Sequence, residues 1–399
     1  MADLKSSRLE TRLMHAGMAP FNPETRSAPV ALPSMRTSTV RFADLAALEQ
    51  ARRRQLQGER GVTYGRAGMD THAALEDVVC CLENAQRGFL APSGLSAITL
   101  AMLALLNAED HVLIADCAYG PVRYLDKTVL QRMGISTTYA RATPGDLKPL
   151  VRENTRMLYI ESPGSLLFEM LDIPALAQFA RDHNLLLVTD NTWGSGYAYR
   201  PLDLGADVSV IAGTKYIGGH SDLMLGAVVA NDDEIIQALN VNHYAMGYSV
   251  SADDAWLALR GARTLPIRLR EHAQNALRIC AHLADWSQTV QIYHPAWPQD
   301  AGHALWQRDC TGSNGMLAVE LAITEAQSRR FVDALTLFGI GFSWGGFESL
   351  VQWVELPALK VHSYWPGRSN PIVRLHIGLE DPADLIADLD QALYCALKT

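Results

Sequence analysis

The sequence lacks the features that mark membrane proteins, secreted proteins and nucleic-acid binders. It contains no apolar run of the roughly 18 residues that a membrane-spanning helix needs, and its first ten residues are polar, without the apolar centre of a secretory signal. Its net charge is −9, whereas nucleic-acid binders carry clustered Lys and Arg. We therefore expect a cytoplasmic protein that binds neither membranes nor nucleic acids.

Metal-binding patterns are also missing. The six cysteines are scattered without a CxxC pair, and the twelve histidines form neither HxxxH nor HExxH. In a long chain without a signal peptide, scattered cysteines are typical of reduced thiols. We expect no metal site, so the chemistry should be organic.

What the sequence does contain is an irregular start followed by a regular alternation of strands and helices. Residues 1–60 are broken by prolines and include one predicted helix, from Asp44 to about Gln57. We expect this segment to form an arm that packs on another subunit. From about residue 61, short apolar runs alternate with helical patterns, which is typical of a mostly parallel sheet. The predicted strands are His111–Asp116, Met157–Glu161, Leu185–Asp190 and Val208–Ala212, and the helices between them include Gly94–Leu106 and Pro174–His183.

The C-terminal third predicts a second, smaller α/β domain. A long helical pattern runs from Ser251 to about Trp286, and Pro266 should kink or split it. The strand-like segments Met316–Leu321, Leu350–Val354 and Val373–Ile377 follow, and then a last helix that Asp381-Pro382 begins. The sequence therefore divides into an arm (1–60), a large domain (61–255) and a small domain (256–399).

Chemically useful side chains follow the predicted strands of the large domain. Ligands of open α/β sheets bind at the carboxyl ends of the strands. Tyr119, Ser162 and the pair Thr214-Lys215 come just after three of these strands, and Asp190 ends a fourth. This edge therefore gathers an aromatic ring, hydroxyls, a carboxylate and an amine, which are the groups that a phosphorylated aromatic aldehyde needs.

Lys215 is the candidate nucleophile at this edge. It directly follows an apolar strand and precedes Gly218-Gly219. Partial removal from water lowers the pKa of a lysine and makes its neutral amine available for a Schiff base. By spacing alone, an ordinary loop lysine at the surface is equally consistent.

Two further candidates sit at the same edge. The Asp190 carboxylate could keep a pyridine nitrogen protonated, although an Asp at a strand end can also cap a helix. Ser93-Gly94-Leu95 begins an apolar helix, and the free N–H groups of a helix start bind phosphate. The same Ser-Gly pair is also an ordinary helix cap.

Together these segments resemble the Cys/Met-metabolism family of pyridoxal-phosphate enzymes, and the resemblance extends from about Thr11 to the C-terminus. Seven motifs occur in the family's order. They are Thr63-Tyr64-Gly65-Arg66 with Thr71-His72, Pro92-Ser93-Gly94, Glu161-Ser162-Pro163, Asp190-Asn191-Thr192, Thr214-Lys215-Tyr216 with Gly219-His220-Ser221-Asp222, Gly346-Phe347-Glu348-Ser349, and Arg374-Leu375-His376-Ile377-Gly378.

The resemblance implies a fold and a cofactor. The fold is the type I pyridoxal-phosphate (aspartate-aminotransferase-like) fold, with a mostly parallel sheet in the large domain and a smaller α/β C-terminal domain. Pyridoxal 5'-phosphate would be bound covalently by Lys215, stacked by Tyr119 and held at its ring nitrogen by Asp190. The Gly94 and Leu95 amides and the Thr214 hydroxyl would hold its phosphate.

The resemblance also implies shared active sites. Tyr64 and Arg66 would reach the phosphate of a neighbouring subunit, in a homotetramer built from two such dimers. Arg374 would bind the α-carboxylate of an amino-acid substrate, and Lys215 would move the α-proton, with Tyr119 as a second proton carrier. Tyr64, Ser343 and Trp344 would complete the substrate pocket.

Three features favour one branch of the family. Trp193, Ser343-Trp344-Gly345-Gly346 and Gly164-Ser165 are similar to the bacterial branch that splits L-cystathionine by α,β-elimination into homocysteine, pyruvate and ammonia, a step of methionine biosynthesis. The two tryptophans could equally be core residues. Ala212 stands where the family commonly has Ser, so the resemblance does not imply the phosphate contact of that residue here.

Three other functions stay open. The first is a related carbon–sulfur lyase that acts on cysteine, cystine or methionine. The second is a cystathionine γ-synthase or γ-lyase, which the two tryptophans disfavour. The third is a cofactor-dependent regulator or a scaffold without activity, which the intact Lys215, Asp190 and Arg374 disfavour.

We predict that Lys215→Ala abolishes both the visible absorbance of bound cofactor and turnover, because the amine that binds the cofactor is gone. Absorbance spectra and steady-state assays of the purified variant test this. Wild-type activity in Lys215→Ala would contradict the assignment.

Overall fold

The fold contains two sheets that lie one after the other along the chain. A computed structural model of the protein describes residues 6–398. Within that range the α-helices are α1 Leu9–His15, α2 Leu45–Leu56, α3 Asp70–Glu83, α4 Gly94–Leu105, α5 Pro121–Leu125, α6 Pro144–Leu147, α7 Ile173–Asp182, α8 Asp233–Met246, α9 Ala252–Ala284, α10 His303–Asp309, α11 Glu325–Ala334, α12 Leu356–Leu359 and α13 Pro382–Leu397. The strands are β1 Arg87–Ala91, β2 His111–Ala115, β3 Ser136–Ala140, β4 Thr155–Glu161, β5 Leu186–Asp190, β6 Val208–Ile211, β7 Gly226–Ala230, β8 Thr289–Tyr293, β9 Met316–Leu321, β10 Gly339–Ile340, β11 Leu350–Val354 and β12 Ile372–His376.

The first sheet has seven strands in the order β1-β7-β6-β5-β4-β2-β3. Strands β2 to β6 pair in parallel, and β7 runs antiparallel to both of its neighbours. Apolar clusters cover both faces: α4 and α8 pack on one, and α7 packs on the other. The prediction of a mostly parallel sheet is confirmed, and the four predicted strands begin and end within two residues of the observed ones.

The second sheet has five strands in the order β10-β11-β12-β9-β8 and is mostly antiparallel. Helix α13 begins at Pro382 after the Asp381 cap, and it packs on this sheet together with α11. The predicted smaller α/β unit at the C-terminus is therefore present.

Helix α9 joins the two units. It runs for 33 residues without a break, with Pro266 inside it, so the predicted split at Pro266 does not occur. Its N-terminal half up to Leu269 packs into a large-domain cluster, and its C-terminal part from Ala276 packs into the small-domain cluster. The boundary at residue 255 stays a prediction. No helix within residues 6–398 has both the length and the apolar character to cross a membrane.

We predict that Phe331→Ala lowers the free energy of unfolding by about 3–5 kcal/mol, the usual loss for a buried Phe. Phe331 is fully buried in the small-domain core, with its ring centroid 6.1 Å from that of Trp286. Urea unfolding followed by tryptophan fluorescence measures the change.

Phe342→Ala is the matched control, because this Phe is 86% exposed. Its free energy of unfolding should change by less than about 0.5 kcal/mol. Equal losses in the two variants would show that burial of Phe331 does not stabilise the small domain.

Candidate active site

The parallel strands deliver the candidate residues to one edge of the large sheet. Asp190 is the last residue of β5 and pairs in register with Glu161, the last residue of β4. Lys215 follows β6, and Tyr119 follows β2. Because parallel strands end on the same side of a sheet, these four side chains share one cleft.

Lys215 lies in a tight turn after β6, with its backbone N–H donating to the Ala212 carbonyl. Burial and the positive charge of Arg374 together lower the pKa of the amine to about 8, and the negative charge of Asp190 opposes them. A substantial fraction of the amine is therefore neutral near physiological pH. The structure thus places at this edge the kind of nucleophilic lysine that the sequence predicted.

Asp190 is a buried carboxylate, with 6% of its surface exposed. The Thr192 N–H donates to it at 2.9 Å, and burial raises its pKa despite that bond and the charge of Lys215. Among residues 6–398, Asp190 takes part in none of the ion pairs within 4.0 Å, and the charge of Lys215 acts on it only from a longer distance. A protonated ring nitrogen would supply the missing cation, since a buried carboxylate is costly without one.

The start of α4 forms a cradle suited to a phosphate. Ser93 caps the helix by accepting the Ser96 N–H at 3.1 Å. The N–H groups of Gly94 and Leu95, in the first turn, have no intrahelical acceptors. A side chain on Gly94 would come within 2.6 Å of the Ala212 Cβ, so a bare backbone at this point keeps the helix start close to the end of β6.

The Thr214 hydroxyl has a different hydrogen-bond pattern from the one that the resemblance implies. It donates to the Leu225 carbonyl at 3.1 Å and accepts the Leu225 N–H at 2.9 Å. The hydroxyl proton and one acceptor lone pair of Thr214 are therefore used in hydrogen bonds to Leu225, the residue directly before β7. A contact between Thr214 and a phosphate stays a prediction.

Tyr119 is positioned by Glu161. Its backbone N–H donates to the Glu161 carboxylate at 2.5 Å, and its ring is 43% exposed toward the cleft. Burial and the charges of Glu161 and Asp190 raise the pKa of Tyr119. The hydroxyl therefore stays protonated at neutral pH and can donate a proton. The sequence motif that contains Glu161 does not indicate this role, and the position of Glu161 at the end of β4 is the signal that could have indicated it.

Arg374 reaches the same cleft from the small domain. It lies in β12, is 9% exposed, and donates to the Ser165 carbonyl at 3.3 Å. Burial lowers its pKa to about 10, while the neighbouring Glu161 and Tyr119 raise it. The group still carries its charge at neutral pH, with guanidinium donors left to bind a carboxylate.

Ser343 and Trp344 meet Lys215 directly. The Lys215 amine is 2.5 Å from the Ser343 hydroxyl and 5.3 Å from the centroid of the Trp344 ring. Trp344 also packs against Tyr216. Trp193, in contrast, is 4% exposed and belongs to a core cluster. Of the two tryptophans, Trp344 is therefore the one that lines the cleft.

Tyr64 and Arg66 lie elsewhere on the chain. Tyr64 is 49% exposed, next to the short helix that contains Arg66. Arg66 stacks on the Tyr244 ring at 4.5 Å and donates to the Tyr244 carbonyl. It lines a cavity of about 260 Å³ that includes His243 but not Lys215. Within one chain the structure does not bring these two residues together with Lys215.

The cleft is suited to organic chemistry. Among residues 6–398 there is no cluster of three His, Cys, Asp or Glu side chains that could hold a metal ion. The amine, the buried carboxylate without a cation and the helix start instead match three parts of one molecule: an aldehyde, a ring nitrogen and a phosphate.

Comparison with known proteins agrees with this geometry. The family model for Cys/Met metabolism PLP-dependent enzymes matches residues 10–394. The chain is 63% identical to cystathionine beta-lyase of Bordetella avium, covering 98% of this chain and 99% of that protein. It is 36% identical to cystathionine beta-lyase of Haemophilus influenzae, covering 96% of each.

A solved structure gives the same result at the level of the fold. The cystathionine gamma synthase of Xanthomonas oryzae pv. oryzae, determined in complex with cystathionine, superimposes with a TM-score of 0.88 at 32% identity, covering 98% of each chain. The predicted type I pyridoxal-phosphate fold is confirmed.

We predict that the full-length chain, freed of cofactor, binds added pyridoxal phosphate at a rate that rises with pH and has its midpoint near 8, since only the neutral Lys215 amine attacks an aldehyde. Arg374→Gln should move the midpoint up, because it removes a positive charge that disfavours the ammonium form. Asp190→Asn should move it down, because it removes a carboxylate that favours that form. Stopped-flow absorbance measures the rates. A midpoint near 10, unchanged in both variants, would refute this electrostatic account.

Proposed function

The chain belongs to the Cys/Met metabolism PLP-dependent enzyme family, and from that membership we propose that it catalyses the α,β-elimination of L-cystathionine to homocysteine, pyruvate and ammonia in methionine biosynthesis. The observation that carries this proposal is the Lys215 amine, with its pKa lowered to about 8, in one cleft with Asp190 and Arg374. The likeness to two cystathionine beta-lyases selects this substrate within the family.

The cofactor is pyridoxal phosphate, which when bound supplies an electron-withdrawing ring that stabilises negative charge on the substrate Cα. Lys215 would hold its aldehyde, Asp190 its ring nitrogen, and the Gly94 and Leu95 amides its phosphate. Tyr119 would cover one face of the ring. Asp190 has the strongest physical reason for this role, because its buried carboxylate makes no direct ion pair among residues 6–398.

Arg374 would bind the substrate through its α-carboxylate. Its guanidinium is buried and fixed from one side by the Ser165 carbonyl, so little freedom remains to be lost on binding. A bidentate pair with a carboxylate also fixes orientation, which sets the Cα–H bond at a defined angle to its surroundings. Arg374 thus supplies alignment rather than bond breaking.

Lys215 would carry the proton. Its neutral Nζ takes the proton from Cα, and the resulting ammonium can pass a proton to the departing sulfur. Tyr119, which stays protonated at neutral pH, is a second possible donor to that sulfur. Trp344 and Ser343 lie against the Lys215 amine and limit the positions that it can adopt.

The atoms balance with one molecule of water. The Cβ–S bond breaks, and the sulfur leaves with the bonding pair and gains a proton, giving the homocysteine thiol. The three-carbon remainder exchanges its nitrogen for the oxygen of water, which releases ammonia and pyruvate. No oxidant or reductant is needed.

We further propose a homotetramer in the cytoplasm. Arg66 lines a cavity of its own chain that does not include Lys215, and Tyr64 directly precedes the short helix that contains Arg66, which supports the view that the two serve a neighbour's phosphate. Exposed apolar residues such as Val30 and Leu45 in the arm suit burial against another subunit. The six unpaired cysteines suit a reducing compartment.

The test of the proposed function is an assay of the purified holoenzyme with L-cystathionine, coupled to separate detection of keto acid and thiol. We expect pyruvate and homocysteine in equal amounts. Formation of 2-oxobutyrate would assign γ-elimination instead, and faster turnover of cystine or cysteine would assign a different carbon–sulfur lyase.

We predict that mixing two inactive variants, Tyr64→Ala and Lys215→Ala, restores activity, because a mixed dimer then contains one site with both native residues. Random exchange should return about a quarter of the wild-type rate, since half of the dimers are mixed and each has one intact site. Subunit exchange is verified first, by mass-labelled chains. Complete exchange without recovered activity would show that Tyr64 does not act across subunits.

A further inference from the structure

His376 is a buried imidazole behind the catalytic cleft, with both ring nitrogens engaged. It is 2% exposed and lies in β12, two residues beyond Arg374. Its Nδ1 is 2.9 Å from the Glu348 carbonyl, and the Gly345 N–H donates to its Nε2 at 3.1 Å. A carbonyl only accepts and a backbone N–H only donates, so the proton is on Nδ1 and Nε2 is bare.

These two bonds hold both sides of one loop, residues 343–348, which we call the serine loop. The serine loop contacts the segment of residues 215–221 at three points. The Ser343 hydroxyl meets the Lys215 amine at 2.5 Å, and the Ser221 hydroxyl donates to the Glu348 carboxylate at 2.5 Å. Between them, a side chain on Gly345 would come within 3.0 Å of the Lys215 backbone. The small domain therefore contacts Lys215 through this loop.

Ser343 has a backbone conformation that needs external support. Its φ is +81°, in the region that residues with a Cβ rarely adopt. The adjoining Gly345 has a φ of +90° and packs on the Lys215 backbone. Such strained residues persist only where their surroundings fix them, and the His376 acceptor is one of the groups that fix this backbone.

We propose that His376, in its neutral Nδ1–H form, is a positioning residue that fixes the serine loop and so holds the Ser343 hydroxyl on the Lys215 amine. The role rests on the proposed function in one respect only, that Lys215 is the working amine. His376 touches neither substrate nor cofactor in this account, and it acts through Gly345 and Ser343.

The surroundings keep His376 neutral. Burial and the positive charges of Arg374 and Lys215, together with the neighbouring His272, lower its pKa well below the ordinary value. Protonation would put a second N–H opposite the Gly345 N–H and break that bond. The neutral form is therefore the one that supports the loop at neutral pH.

Two substitutions distinguish the roles of the two ring nitrogens of His376. The amide of Asn can occupy the position of Nδ1, so His376→Asn keeps the Glu348 bond and loses the acceptor for Gly345. The amide of Gln reaches the position of Nε2, so His376→Gln keeps the acceptor. His272→Asn is the matched control: its ring centroid is 5.2 Å from that of His376, and its Nδ1 bonds the Ile377 carbonyl. The His272 Nε2 has no partner among residues 6–398.

The readout is the pH midpoint for binding of pyridoxal phosphate by the full-length chain, without any amino-acid substrate. A hydroxyl that accepts from the Lys215 ammonium favours the charged form, so Ser343→Ala should lower the midpoint. His376→Asn should lower it equally, while His376→Gln and His272→Asn should keep the wild-type midpoint. The double variant His376→Asn with Ser343→Ala should show no shift beyond that of Ser343→Ala alone.

Activity of the holoenzyme gives the second readout. His376→Asn should lower kcat/KM by about tenfold to a hundredfold, the scale of a lost positioning contact, and His376→Gln should restore most of it. Because the pH midpoint is measured with cofactor alone, failure of L-cystathionine as substrate would leave the midpoint pattern intact and so would overturn only the proposed function.

Three outcomes would overturn the positioning role. The first is equal midpoint shifts in His376→Asn and His272→Asn, which would mean general loss of packing. The second is additive shifts in the double variant, which would mean that His376 does not act through Ser343. The third is a displaced midpoint in His376→Gln, and this comparison stands even if His376→Asn does not fold.

Discussion

The active cleft depends on keeping one amine partly out of water between two separately formed sheets. The large domain supplies Lys215 at the end of β6, and the small domain supplies Arg374, Ser343 and Trp344 around it. Burial of the amine among these groups, together with the charge of Arg374, lowers its pKa to about 8. Arg374, which lies in the second sheet, thus helps to set the pKa of an amine that the first sheet supplies.

Two charged groups of the cleft act on the pKa of that amine in opposite directions. Arg374 disfavours the ammonium form, and Asp190 favours it. Glu161 adds a second carboxylate beside Asp190, and burial and that proximity raise its pKa well above the ordinary value. A cationic ring nitrogen and an anionic substrate carboxylate would each meet the opposite charge here. The charges of the cleft are thus complementary to a molecule with both groups.

Much of the large domain could be predicted from sequence, because buried parallel strands are continuous apolar runs that end in polar residues. His111–Asp116 and Val208–Ala212 were placed within a residue for that reason. The antiparallel strand β7 was missed, since Gly226–Ala230 is a short apolar run that does not differ from a buried helix turn by its pattern. Pro266 was expected to kink or split α9, but the helix is not split there, and its two halves pack on two different cores.

The residues of the candidate site likewise fall into some that the sequence could place and others that it could not. Lys215, Asp190 and Tyr119 could be placed because each follows or ends a strand, and strand ends converge by geometry alone. The contact of Ser343 with Lys215 spans 128 residues and two domains, so no local pattern carries it. Glu161 and His376 stood inside recognised motifs, but their partners are backbone groups, which a sequence does not identify. The Thr214 hydroxyl is turned to Leu225 by a rotamer choice that only packing decides.

Helix α9 has a consequence for how the chain is made. A helix of 33 residues is about 50 Å long, and it completes the core of one unit with its first half and of the other with its second half. Synthesis from the N-terminus therefore leaves the large domain without part of its apolar cover until the helix has left the ribosome. The two units should mature as one cooperative foldon rather than as two independent modules.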